Sequence, residues 1–339
     1  MKLVTGGSGF VGGHIVEQLL KRGADVRVFD QHPPEIGADQ VEYVEGDIRD
    51  PTDIRQAMDG VDTVYHNVAL VPVTKAGDRF RQVNVEGTRQ AMNAAQDASV
   101  DRFIHMGSSS VYSLDQLPIT ENSLLQPKGP YSESKLKADE VALQATDVDV
   151  TVIRPRTVVG KRRAGIFQIL FEWISQGRRV YLVGSGNNTF QMVSGRDIAT
   201  AAIAAADSET AIGQIYNIGT DEFGTMREAY ESLISHAGTG STVTSLPRLP
   251  TKFGMWALDT LDYSPLTTFH YKTIDKDFYF DISRARDDLN WEPQDSNADC
   301  LRRGYEWFID STSEESEESG EGHRKAPEQG ALNILRKLS

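Results

Sequence analysis

The chain of 339 residues contains a single cysteine, Cys300. One thiol excludes an intrachain disulfide and any cysteine-built metal centre, so no metal is expected. Lysine is scarce: the 35 basic residues divide into 12 lysines and 23 arginines, against 49 acidic ones. The resulting net charge of −14 argues against a nucleic-acid surface, which needs clustered cations. No apolar run approaches the ~18–20 residues of a membrane span. The opening MKLVTGGSGFVGG lacks the apolar core of a signal peptide. A cytoplasmic protein follows as the default, with neither nucleic acid nor membrane as a partner.

Short apolar runs and amphipathic stretches take turns through the first half. KLVT, ADVRVFD, VEYVEGD, VDTVYHNV, VDRFIHMGSSS and VDVTVIRP read as strands. HIVEQLLKRG, DIRQAMDG, VNVEGTRQAMNAAQDA and YSESKLKADEVALQAT between them read as helices. That rhythm predicts an α/β fold with a doubly wound parallel sheet covered on both faces. The order loosens after residue 157, and 158–310 read as a smaller, interleaved substrate lobe. From Ser311 the run STSEESEESGEG offers nothing to build a core, and 311–339 read as a disordered acidic tail. Within the tail, ALNILRKLS puts Leu332, Leu335 and Leu338 on one helical face. A frayed end explains this pattern, and a short docking helix is the sharper alternative.

TGGSGFVGG stands between the first strand and the first helix, with Gly6, Gly9 and Gly12 spaced G-x-x-G-x-x-G. Glycine is needed where the backbone turns tightly and a pyrophosphate comes close. The helix start then offers free N–H groups and a positive dipole end. Asp30 ends the second strand about 20 residues on, where a carboxylate binds both adenosine ribose hydroxyls and repels a 2′-phosphate. NAD is therefore the expected cofactor. Asp47 is placed to meet the adenine through its side chain or the Ile48 backbone; a turn-forming Asp is a comparable reading.

Taken together, these segments resemble an extended short-chain dehydrogenase/reductase of the NAD-dependent epimerase/dehydratase group. The resemblance rests on TGGSGFVG, Asp30, GDI at 46–48, HNVAL at 66–70, NVEGT at 84–88, GSSSVY at 107–112 and YSESK at 131–135. YNIG at 216–219 and DISRARDDLNWEP at 281–293 continue it. It implies a Rossmann-type domain over 1–157 and the substrate lobe after it. It also implies Ser108, Tyr131 and Lys135 as catalytic residues, with Ser109 and Ser110 as local alternatives to Ser108. A free phenol titrates near ~10; a lysine one helical turn away favours the phenolate and makes Tyr131 a usable base. Lys135 would also hold the nicotinamide ribose. Asn67, Val68 and Ala69 would line the cofactor, and Phe10, Val11, Arg154 and Pro155 would touch it. Asn84 is read either as shaping a proton path or as a helix cap. Family members commonly pair as homodimers through the helices at 84–98 and 131–146.

The reaction is narrowed by departures from the family pattern. Three serines stand where dehydratases carry an acid pair and decarboxylases a Glu. That leaves a nucleoside-diphosphate-sugar 4-epimerase, the reading that the family's base rates favour, with a dehydrogenase/reductase of the hydroxysteroid or flavonol-reductase kind on an apolar alcohol or ketone as the alternative. Thr157 replaces the Asn, and Phe190 the Arg, that nucleotide-sugar enzymes place near the diphosphate. Arg154, Arg156, Lys161, Arg162 and Arg163 are possible substitutes, or KRR is a solvated loop. WALDTLDYSPLTTFHY offers aromatics for an apolar pocket, although core packing explains aromatics more often. A non-catalytic NAD(H)-binding protein is a third class, and the intact Ser108, Tyr131 and Lys135 argue against it.

The acid excess and the few lysines suit a protein working at high salt, where screening relieves self-repulsion. The melting temperature is expected to rise from low to molar KCl. A melting temperature indifferent to KCl would exclude that habitat.

Overall fold

The computed structural model describes residues 1–71, 77–162, 167–260 and 273–317. Seven strands build one sheet: β1 (Lys2–Thr5), β2 (Val26–Asp30), β3 (Glu42–Glu45), β4 (Thr63–His66), β5 (Arg102–Met106), β6 (Asp149–Pro155) and the strand Ile215–Ile218. From one edge the order is Ile215–Ile218, β6, β5, β4, β1, β2, β3. Every neighbouring pair is parallel. This is the doubly wound Rossmann-type arrangement expected from the alternation of strand and helix.

The helices α1 (Phe10–Lys21), α2 (Pro51–Ala57), α3 (Gly87–Asp97) and α4 (Pro130–Leu143) make the crossovers. Local chemistry starts each of two of them. Asp50 accepts from Thr52 N at 2.8 Å and caps α2, with Pro51 at its first position. Gly129, at φ +94°, turns the chain into α4, and Pro130 opens the helix. On one face of the sheet Leu3, Phe29, Ile54, Met58, Val64, Phe103 and Val150 form a buried core.

By their contacts the described residues divide into two compact units, one within 1–157, 195–219 and 280–294, the other within 158–194, 220–279 and 295–317. The sequence reading placed 158–310 together, and two stretches of it instead complete the first unit. Their reasons are local. Ile215–Ile218 pairs along β6. The helix Gly195–Asp207 packs beside α1, where a Cβ on Gly195 would stand 2.2 Å from the His14 ring. Trp291 Nε1 donates to Thr200 Oγ1 at 3.0 Å, and Gln294 N to Asp197 Oδ1 at 3.0 Å.

In the second unit Val159, Phe171, Ile174, Met192, Leu233, Cys300 and Leu301 form the core. The helix Met226–Ala237 opens with a reciprocal Thr225–Glu228 cap and closes on Gly238 at φ +63°. The helix Asn297–Glu317 runs past Ser311, where disorder was expected. Ser311 is buried and donates to Phe308 O at 3.1 Å, which anchors that turn. Residues 318–339, including ALNILRKLS, lie outside the described residues, as do Arg163 and positions 261–272 of the aromatic stretch. Among the described residues no helix is long and apolar enough to cross a membrane, and no group of His, Cys, Asp and Glu has a metal-holding arrangement.

Two imidazoles are buried at the ends of adjacent strands. His66 of β4 lies 2.8 Å from Thr5 Oγ1 through Nδ1 and 3.1 Å from Thr88 Oγ1 through Nε2. Its ring stacks on His105 of β5 at 5.6 Å. Burial holds both below the ordinary histidine value. The unfolded chain therefore takes up protons near pH ~6.5 that the folded chain refuses. Stability is expected to fall as pH drops below about 6.5. Thermal melts from pH 8 to 5 check this, and His66→Gln should make the decline shallower. An unchanged slope in that variant would assign the decline to other groups.

Candidate active site

In the order β3-β2-β1-β4-β5-β6 the chain leaves in opposite directions from β1 and β4. Ligands of such sheets bind beyond the carboxyl ends of those two strands. The glycine turn follows β1 there, and the segment 67–70 follows β4.

Gly6 takes φ +68° and donates to Phe29 O at 2.8 Å. A Cβ on Gly12 would stand 2.1 Å from Gly6 O, and one on Gly6 would stand 3.1 Å from Val68 N. The gap at Gly12 admits no side chain and the positive φ strains one at Gly6, so bare backbone lines the turn at both. Gly9 caps α1 and supplies no side-chain hydrogen bond to its first N–H groups. That leaves a phosphate-sized anion as their natural partner. Phe10 and Val11 form the first helical turn and are half-buried. Asp30 lies beside this turn, accepting from Ser8 N and His32 N at 3.2 Å each. The turn and its carboxylate fit a dinucleotide with free ribose hydroxyls.

Around this cradle, Asp47 accepts from Arg49 N at 3.0 Å and from Arg49 Nε at 2.9 Å. Arg49 holds its carboxyl below the usual range. The Ile48 side chain is in the core, against Gly87. Asn67 donates to Tyr65 O at 3.0 Å, and Val68 packs on the core. Ala69 is half-buried. Asn84 sits in a π-helical turn, Arg81–Glu86. Its Oδ1 accepts from Leu70 N at 2.8 Å, and its Nδ2 donates to Ser134 Oγ at 2.9 Å. Asn84 thus ties the loop after β4 to α4, which neither sequence reading of it had described.

Ser108 stands two residues beyond β5 in extended backbone. Its Oγ lies 3.0 Å from Ser110 Oγ and 3.5 Å from Tyr131 OH. The latter exceeds an ordinary O–H···O bond, as catalytic contacts often do before substrate tightens them. Phe80 packs edge-on against the Tyr131 ring at 5.8 Å. Lys135, one turn along α4, donates to Met106 O at 2.5 Å. Burial pulls its ammonium down to about 8. Ser108, Tyr131 and Lys135 are therefore brought together. Of the alternatives, Ser110 contacts Ser108, and Ser109 is buried beside them.

Arg154 departs from expectation. Its guanidinium does not face the cradle: Nε donates to Asp139 Oδ2 at 2.9 Å and one terminal nitrogen to Tyr112 OH at 2.8 Å. A buried guanidinium is held where a carboxylate can pair with it. Pro155, next along, ends β6 against Ile218. The polar run of α4 also turns inward: Ser132, Ser134, Lys135 and Asp139 are buried. Asp139 went unread in the sequence, although its place four residues after Lys135 puts both on one helical face.

The profile of the NAD dependent epimerase/dehydratase family matches residues 2–219. An uncharacterised protein, y4nG, of Sinorhizobium fredii is 37% identical, over 98% of this chain and 85% of its own length. A 3 beta-hydroxysteroid dehydrogenase/Delta 5→4-isomerase of Mycobacterium tuberculosis is 32% identical, over 88% of this chain and 89% of its own. Among solved structures, the UDP-glucuronic acid 4-epimerase of Bacillus cereus, in complex with NAD, has a similar fold with a TM-score of 0.74. That match covers 92% of this chain and 99% of the epimerase, at 24% identity. The chain therefore belongs to the NAD-dependent epimerase/dehydratase family, enzymes of the extended short-chain dehydrogenase/reductase type, and its cofactor is NAD.

Proposed function

We propose that the protein is an NAD-dependent dehydrogenase/reductase that interconverts an apolar secondary alcohol, of hydroxysteroid kind, and its ketone. The observation that carries the choice of substrate is Phe190. Where a nucleotide-sugar enzyme would hold an Arg for the diphosphate, the Phe190 side chain packs against the apolar core of the second unit. A phenyl ring offers a diphosphate no donor, whereas Arg would grip it in a bidentate way. Thr157, at the other such position, accepts from Arg156 at 2.5 Å and offers one hydroxyl in place of an amide. The hydroxysteroid dehydrogenase named above is 32% identical over most of this chain, which supports the same reading. The likeness to the UDP-sugar enzyme, at 24% identity, supports the fold alone.

Bound NAD supplies the acceptor or donor of hydride. The rest falls to the protein. Asp30 and the glycine turn hold the dinucleotide. Ser108 donates to the substrate oxygen and sets its distance from Tyr131. In oxidation the Tyr131 phenolate takes the hydroxyl proton as the carbinol carbon loses hydride; in reduction the phenol returns it. The Lys135 ammonium stabilises the phenolate by its charge. We extend the proposal to a cytoplasmic homodimer paired through α3 and α4; monomeric sedimentation at assay concentrations would refute the pairing.

Tyr131→Phe should lower turnover by about 10²–10⁴-fold while NAD titration remains normal. Retained turnover would remove Tyr131 from the proton transfer. Activity should also fall as pH rises through about 8, where the Lys135 ammonium is lost. The substrate is tested by presenting 3β-hydroxysteroids and simple apolar alcohols with NAD, and UDP-sugars without added cofactor. NADH formation from the alcohols is expected. Epimer interconversion of a UDP-sugar, with the alcohols inert, would overturn the proposal in favour of a 4-epimerase.

A further inference from the structure

Behind Lys135 lies a set of buried charges that the hydride chemistry does not itself use. Asp139 is 1% exposed and Lys135 3%, both on the inner face of α4. Lys135 Nζ binds the carbonyl of Met106. Asp139 Oδ1 reaches the very next residue, standing 3.0 Å from where a Cβ on Gly107 would be. The same Cβ would meet Arg154 Cγ at 2.9 Å. Ammonium and carboxylate thus converge on one strand end, and the glycine at 107 leaves the carboxylate room.

We propose that Asp139 is the counter-ion that keeps the Lys135 ammonium charged, and so a positioning residue for the Tyr131 phenolate. This rests on the dehydrogenase reading given above.

The surrounding groups explain why one carboxylate decides the matter. On α4, Tyr131 and Asp139 stand one turn before and one turn after Lys135, and the Asp139 charge acts on its ammonium. From β5 comes His105, whose Nε2 lies 3.2 Å from Asp139 Oδ1. From β4 comes His66, stacked on His105. From β6 comes Arg154, bonded to Asp139 Oδ2. The turn at Ser109–Val111 adds only hydroxyls. Arg81 of the π-helical turn and Arg89 of α3 are exposed and both pair with the half-buried Glu86, where solvent screens them. Both imidazoles are held neutral by burial. Among the described residues, Asp139 is therefore shared by two cations, Arg154 and Lys135.

The margin is narrow. Burial disfavours the Lys135 ammonium and Asp139 opposes that effect, the balance lying at about 8. At pH 7 this corresponds to about ten charged lysines for each neutral one. An opposite charge at close range moves such an equilibrium by about 1–3 pH units. Loss of Asp139 would leave about half or more of Lys135 neutral at pH 7, with correspondingly less charge to hold the phenolate. A buried ion pair seldom adds net stability over an apolar replacement, so its presence beside the catalytic lysine fits a role in protonation.

The chain has 12 lysines, few enough to follow by NMR with ¹³Cε-labelled lysine, Lys135 being assigned through Lys135→Arg. Asp139→Asn should lower the midpoint of the Lys135 titration by about one pH unit or more, and Asp139→Glu should restore it. Arg154→Met, which frees the carboxylate for Lys135, should move the midpoint the other way, with Arg154→Lys near wild type. If Asp139→Asn does not fold, the Arg154 pair carries the test with its opposite sign. With 3β-hydroxysteroid as probe, the alkaline limb of kcat/KM should follow each shift. A purely structural Asp139 would lower the melting temperature and leave the titration in place, and that result overturns the proposal. The titration needs no substrate. A moved midpoint with an active Tyr131→Phe would refute the dehydrogenase mechanism alone; a fixed midpoint with an inactive Tyr131→Phe would refute the role of Asp139 alone.

Discussion

Parallel pairing is the constraint on which the site depends. When all seven strands run the same way, their carboxyl ends share one edge of the sheet. Whatever follows those ends is gathered there without further instruction: the glycine turn after β1, Asp30 at the end of β2, Asn67 after β4, Ser108 after β5. An antiparallel sheet would send half of them to the opposite edge. Crossover helices are the other consequence of parallel pairing, and α4 brings Tyr131 and Lys135 back over the end of β5.

The local parts of this design are legible in the sequence. Each strand is a short apolar run, and two of the crossover helices open on their own punctuation, Asp50-Pro51 and Gly129-Pro130. The glycine spacing is readable because steric exclusion leaves no other residue possible: a Cβ at Gly12 would collide with Gly6 O. What escapes reading is pairing at a distance. Arg154 looks like any strand-end arginine beside a nucleotide site; its partner Asp139 is 15 residues earlier on a different element. The inner face of α4 hides for a related reason. It buries serines, a lysine and an aspartate, so hydrophobic periodicity, the usual signal for a buried face, is missing. The helix through Ser311 escaped because composition describes the average of a segment, whereas Ser311 is fixed by one buried turn.

Electrostatics divides the molecule in two. The surface is strongly acidic and rich in exposed pairs of small energetic weight, such as Arg22–Asp207 and Lys21–Glu17. The interior of the first unit instead carries a few charges in a fixed order: Lys135, Asp139 and Arg154, then Tyr112, whose hydroxyl continues to Asn217 Oδ1 at 2.9 Å. Hydroxyl and amide groups carry that chain across β5, β6 and the strand Ile215–Ile218. Polar links of this kind fix the relative placement of strand ends more narrowly than apolar packing would, because each has a direction as well as a distance.

The return of the chain to its first unit bears on how the protein is made. Synthesis proceeds from the N-terminus, yet the edge of the sheet at β6 is covered only by Ile215–Ile218, and residues 280–294 arrive later still. Until then β6, with the sequence DVTVIRP, presents an open row of backbone donors and acceptors to any neighbouring chain. A nascent or truncated polypeptide ending between these points holds the whole nucleotide cradle and an uncovered edge at once. The residues of the cradle are thus complete in the growing chain before the strand that closes the sheet edge beside β6 has been made.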